Sequence, residues 1–157
     1  MSDETVTTNT VTSNLDEFVN TLIELSGLDL TVEISTAQNL LEVELTGEDV
    51  PLLLGRNGEL LNALEYLSNK VYGRQLPEET KIVFDSEGFR STRERELQLM
   101  AMHAAERVRV SKRPFAFEPM SPSERRIVHL ALAQQTGVRT ESHGEGEDRK
   151  VTVYPTD

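Results

Sequence analysis

The sequence predicts an α+β protein built as two small modules in tandem. Residues 28–35 and 41–45 alternate apolar and polar side chains with period two, lying between two stretches of helical periodicity. After Glu87–Gly88 a second set of helix, short strand and hairpin patterns begins, with no internal repeat of the first. A chain of 157 residues has room for one large domain or two small ones.

Taken in order, residues 1–13 are Thr-rich and acidic without periodicity, and are expected to form a disordered acidic tail. Asn14, with Glu17 three residues on, predicts a helix N-cap ahead of the stripe Leu15, Phe18, Val19, Leu22, Ile23 and Leu25. Gly27 is its expected stop. Leu28, Leu30, Val32 and Ile34 then face one way and Asp29, Thr31, Glu33 and Ser35 the other. Leu41, Val43 and Leu45 alternate with Glu42 and Glu44, so the two runs predict an antiparallel hairpin. Residues 47–54 predict a short helix or turn. Residues 58–72 predict an amphipathic helix with Leu60, Leu61, Leu64, Leu67 and Val71 inward and Asn62, Glu65 and Asn69 outward. Residues 81–85 predict a third strand, which closes a helix–strand–strand–helix–helix–strand module over residues 14–87.

The second module spans residues 88–157. It opens with a long helix whose core side is expected to carry Leu97, Met100, Ala101, Ala104 and Val108, and which Pro114 halts. Phe115 and Phe117 flank a short extended piece. Ser121-Pro122-Ser123-Glu124 combines a capping box with proline in the first helical turn, so a helix should start there. Residues 138–142 and 150–154 alternate around a turn-rich stretch and predict a terminal hairpin.

Composition narrows the function. There is no Cys, so disulfides and thiolate chemistry are excluded, and His103, His129 and His143 lack metal-ligand spacing. No metal and no cofactor are expected. No apolar run approaches membrane-spanning length, and the acidic start is unlike a secretory signal, so a cytoplasmic protein without membrane association is expected. No nucleophile–base pair or Walker-type phosphate loop is recognisable, so an enzyme is not expected. The net charge is −11, but residues 1–50 hold eleven acids and no Lys or Arg, while Arg90 to Arg126 carry nine bases against five acids. A local basic region can attract an anion that the whole molecule would repel.

Two motifs carry chemistry. Gly55-Arg56-Asn57-Gly58 joins two predicted helices; its glycines let the backbone approach a ligand, and the amides opening the next helix suit a phosphate. On the tetrapeptide alone, a Gly C-cap followed by a Gly N-cap, a tight helix–helix turn without a ligand, is the plainer reading. Arg125 and His129 lie four apart on the capped helix and share a face. With Ile127, Val128, Leu130 and Ala131 turned to the core, they should project as a guanidinium with an imidazole one turn above it. An ordinary solvated helix face, or a histidine bonded back into its own module, is the plainer alternative. Arg126, Arg90, Arg93, Lys112 and Arg113 are secondary candidates for phosphate contact, interleaved with Glu94, Glu96 and Glu106.

Context sharpens both motifs. A Gly-x-x-Gly between helices, after two strands and before a third, resembles the KH domain in its prokaryotic (type II) topology, over residues 14–87. The long helix, the Pro114-Phe115 break, the capped helix with Arg-Arg-x-x-His and the terminal hairpin resemble the R-three-H domain, over residues 88–157. One following the other is similar to the bacterial Jag (SpoIIIJ-associated, KhpB-like) family. Gly-Arg-Asn-Gly-Glu-Leu-Leu-Asn-Ala-Leu-Glu-Tyr-Leu, Arg-Glu-Arg-Glu-Leu-Gln-Leu-Met-Ala and Pro-Ser-Glu-Arg-Arg-Ile-Val-His carry the likeness. The resemblance implies binding of single-stranded RNA, with single-stranded DNA left open as an alternative ligand, by an RNA chaperone or post-transcriptional regulator. It also implies a link to cell elongation and cell-wall homeostasis, and pairing with a small single-KH protein or with itself. Many members carry a further N-terminal domain and a charged linker, where this sequence shows residues 1–13. A protein-interaction adaptor that uses the acidic face of the first sheet, with a small KH partner or the ribosome, is the alternative reading.

Overall fold

The computed structural model describes residues 2–156 apart from Gln38 and Arg56. The chain divides into two compact units, Met1–Phe89 and Arg90–Asp157, two residues beyond the boundary expected from the sequence. The described residues form five α-helices and two three-stranded sheets, an α+β architecture in tandem.

In the first unit the order is α1 (Ser2–Ser26), β1 (Thr31–Ala37), β2 (Leu40–Thr46), α2 (Val50–Leu54), α3 (Glu59–Tyr72) and β3 (Lys81–Asp85). α1 starts at Ser2, so residues 2–13 are helical rather than the disordered acidic tail expected, and Asn14 is not its N-cap but an exposed residue within it. The apolar stripe simply continues upstream: Val11 is buried with Leu15, Val19 and Ile23 at steps of four, one side of a helix. Leu25 falls off that side and is 81% exposed. The hairpin forms as expected, with Val32 opposite Leu45 and Ile34 opposite Val43. β3 adds parallel to β2, giving the order β1-β2-β3, and Leu41, Val43, Leu45, Ile82 and Phe84 face the core with Leu53 and Leu61.

α3 is rotated from the expected orientation. Leu61 is buried, but Leu60, Leu67 and Val71 are 49%, 45% and 46% exposed. Glu65 and Asn69, expected outward, turn to β3 instead. Asn69 Nδ2 donates to the Ile82 carbonyl at 2.8 Å and its Oδ1 accepts from the Ile82 amide at 3.4 Å. Glu65 Oε2 accepts from the Phe84 amide at 3.0 Å. The cause is topological: an edge strand leaves backbone groups without a ladder partner, and they need one.

The second unit contains all of α4 (Phe89–Ser111) but its first residue, then β4 (Phe115–Ala116), α5 (Pro122–Leu132), β5 (Val138–His143) and β6 (Lys150–Pro155). Its antiparallel sheet has the order β4-β6-β5. Leu97, Ala101, Ala104, Ala105 and Val108 of α4 pack with Phe117, Val128, Leu132, Val151 and Val153. Met100 is 46% exposed, and Ala105 occupies the buried side instead. α4 stops when Lys112 takes φ 57, two residues before Pro114. The capping box closes both ways: the Glu124 amide donates to Ser121 Oγ at 3.3 Å, and the Ser121 amide to Glu124 Oε2 at 2.9 Å.

Candidate nucleic-acid interface

The loop between α2 and α3 is built by two glycines outside ordinary backbone space. Gly55 has φ 50 and ψ −135, and Gly58 is left-handed at φ 70 and ψ 33. The Gly55 amide donates to the Pro51 carbonyl and the Gly58 amide to that of Leu54, so both turns are tied to α2. Gly58 is buried under Phe89: a Cβ there would lie 2.6 Å from the Phe89 Cε1 atom. Among the described residues no side chain caps α3, while Glu59 in its first turn places a carboxylate beside the opening amides. That charge suits the helix dipole and opposes an incoming anion. Asn57 is half-buried. Arg56 lies outside the described residues.

The Arg-x-x-x-His pair is placed differently from expectation. α5 turns Glu124, Val128 and Leu132 inward, while Leu130, expected in the core, is 62% exposed. Arg126 faces outward, and Arg125 and His129 sit half-buried on the flank. Arg125 Nη1 donates to the Met120 carbonyl at 2.9 Å. His129 lies against β5, with Nδ1 2.7 Å from Thr140 Oγ1 and Nε2 2.9 Å from Ser142 Oγ. Burial, and after it the positive charge of Arg125, hold its pKa below the usual 6.5. At neutral pH this ring is therefore uncharged, and the cation of the pair is Arg125. Thr140 and Ser142 have no mark in the sequence beyond alternating on one strand; only packing of α5 on β5 links them to His129.

The secondary candidates separate into engaged and exposed groups. Arg93 Nε pairs with Glu124 Oε1 at 2.8 Å and its Nη1 with Glu96 at 3.4 Å. It braces the capping box from α4, a use that its spacing from Glu94 and Glu96 does not reveal. Arg90 is half-buried and has interactions of its own. Arg107 lies over the Phe115 ring, and Arg109 bonds Thr136, Gln135 and Glu106. Lys112, Arg113 and Arg126 are exposed. The basic stretch thus does not form one free stripe.

Residues 95–155, which hold α5 and this pair, match the R-three-H domain family. A protein named RNA-binding protein KhpB from Clostridium symbiosum is 34% identical over 126 residues, covering 80% of this chain and 57% of its own. Its namesake from Bacillus subtilis is 30% identical over 138 residues, covering 87% and 66%. The chain belongs to the KhpB (Jag) family. A more distant KhpB from Streptococcus pneumoniae is 24% identical over 143 residues, 91% of this chain and 44% of its own. The chain spans little more than half the length of the Clostridium member and about two thirds of the Bacillus one. Among the described residues of this family member no helix is long and apolar enough to cross a membrane.

Proposed function

We propose that this chain binds single-stranded RNA through two separate contacts. Residues 14–87 act as a KH module that grips backbone at Gly55, Arg56, Asn57 and Gly58. Residues 88–157 act as the R-three-H module, with Arg125 and His129 at its centre and Arg126, Lys112 and Arg113 as outlying cations. The observation that carries this reading is Arg125 on the capped helix inside the residues matched to the R-three-H family. The relatives are named as RNA-binding proteins, which favours RNA over DNA. For the first module the support is its element order, with the glycine loop between α2 and α3. In the cell we assign it the role of a cytoplasmic RNA chaperone or post-transcriptional regulator serving elongation and wall homeostasis, paired with a small single-KH protein or a second copy.

Fluorescence anisotropy with a labelled mixed-sequence single-stranded RNA across a salt series tests it. Arg56→Asp/Asn57→Asp and Arg125→Ala should each weaken binding. For single strands log K falls by about 0.7 per phosphate contact for each log unit of salt, so Arg125→Ala should flatten that slope by about this amount. No binding at low salt would sink the proposal, and equal affinity for DNA of the same sequence would remove its RNA preference.

A second reading has its own observation. Glu33, Glu44 and Asp85 lie side by side across the three strands, with Glu42 on the same outward face. A basic protein segment would suit that face, making the chain an adaptor. Glu33→Lys/Glu42→Lys should then abolish protein binding while RNA binding persists.

A further inference from the structure

The imidazole of His129 is held on both sides by hydroxyls of β5, at 2.7 Å and 2.9 Å. Thr140 and Ser142 are two apart on the strand, so they share a face. Their cross-strand neighbours, Val153 and Val151, are fully buried, which identifies that face as the one turned to the core. A neutral imidazole has one N–H and one lone pair, and a hydroxyl can serve as donor or acceptor. Two hydroxyls therefore satisfy both ring nitrogens at once. A ring engaged in this way can bond a phosphate oxygen only by giving up a partner. Arg125 differs. Among the described residues only its Nη1 has a hydrogen-bond partner, the Met120 carbonyl, which leaves Nε and Nη2 to a ligand.

We infer that Thr140 and Ser142 are positioning residues of the RNA site, clamping His129 as a fixed brace one turn along α5 from Arg125, the group that meets the phosphate. For its ligand the inference rests on the RNA-binding reading above; for its geometry it does not. The clamp also explains why a residue pair on a helix should depend on a strand that follows it in the chain. β5 fixes the ring, the ring fixes the flank of α5, and the guanidinium is presented from a surface that does not rearrange. Preorganising a charged donor in this way removes part of the ordering cost of binding.

The 157-residue chain is the test material, with two readouts: side-chain NMR of the His129 rotamer, and anisotropy with a labelled mixed-sequence single-stranded RNA. In wild type the ring should hold one side-chain rotamer against β5, whichever nitrogen carries the proton, because each hydroxyl can donate or accept. In Thr140→Val/Ser142→Ala the ring should sample several rotamers, and RNA affinity should fall roughly tenfold, as for loss of about one hydrogen bond's worth of free energy. The salt slope should stay as in wild type, because no phosphate-facing cation is removed. The swap Thr140→Ser/Ser142→Thr, which keeps both hydroxyls, should restore both readouts. His129→Gln at pH 7 should likewise leave the slope unchanged, whereas Arg125→Ala flattens it. If the double variant does not fold, Thr140→Val and Ser142→Ala singly carry the same readouts.

Unchanged affinity and an unchanged ring rotamer in a folded double variant would overturn the inference. So would a slope that flattens as much for His129→Gln as for Arg125→Ala. Should wild type bind no RNA, the proposed function fails separately, and the rotamer decides the clamp: several rotamers of the His129 ring in wild type refute it.

Discussion

At Gly58 two constraints meet in one atom. The backbone is left-handed at φ 70, and an added Cβ would press on the Phe89 ring at 2.6 Å. The left-handed conformation alone costs a non-glycine residue about 1–2 kcal/mol, and the clash adds to it. Gly58→Ala should therefore destabilise the first unit by about 2 kcal/mol or more in urea unfolding. Adding Phe89→Leu should recover the steric part only, and full recovery would show that the backbone carries no strain. His129 makes a different prediction, in pH. Its folded pKa lies below 6.5, its value in the unfolded chain, because burial and Arg125 disfavour the charged ring. The unfolded state thus binds more protons as pH falls below about 6.5, and stability drops with it. Above that value the contribution is fully present. Thermal midpoints of wild type should decline more than those of His129→Asn between pH 6.5 and the folded pKa, by a small amount because the ring keeps water on one side. Parallel curves would contradict this.

α1 and α3 show how an element takes its extent and rotation from what it covers. Val11 lies in the stretch with least helical pattern, yet is 2% exposed against the first core. Its burial is what extends α1 upstream of Asn14. Val11→Ala removes about two methylene equivalents and should cost about 2 kcal/mol. A change below about 0.5 kcal/mol, the size of an ordinary surface substitution, would mean that α1 effectively begins later. In α3 the decision is made by β3. Its outer edge takes Asn69 and Glu65 as substitutes for a neighbouring strand, and the helix turns Leu60, Leu67 and Val71 outward to deliver them.

Across the whole molecule, charge is divided unevenly. Residues 1–50 contain eleven acids and no Lys or Arg, whereas all sixteen bases follow. The acidic half supplies a field that repels polyanions, and the attraction that remains is confined to short range near the basic groups. Replacing the exposed acids Glu33, Glu42 and Glu48, which belong to neither candidate motif, by Lys should raise affinity for any single-stranded nucleic acid at low salt. The variant's binding should also become less sensitive to Arg125→Ala, measured by the same anisotropy titration. Unchanged affinity would assign the acidic half no electrostatic role in RNA selection.

Much of this protein was legible in its local patterns. Period-two alternation located the hairpin of β1 and β2, Ser121 to Glu124 located the start of α5, and the order of elements followed in both units. These are short-range signals, set by neighbours in the chain and by the spacing of one face. The motif Arg125-x-x-x-His129 was legible for the same reason. What each side chain of the motif does was decided by tertiary structure, because His129 faces hydroxyls eleven and thirteen residues away and Arg125 a carbonyl beneath its own helix. The rotation of α3, the bracing of Glu124 by Arg93 and the pressure of Phe89 on Gly58 belong to the same class. A helical stripe states that one side is apolar. It does not state which polar groups a distant edge strand will claim, since that depends on backbone partners supplied only when the sheet is in place.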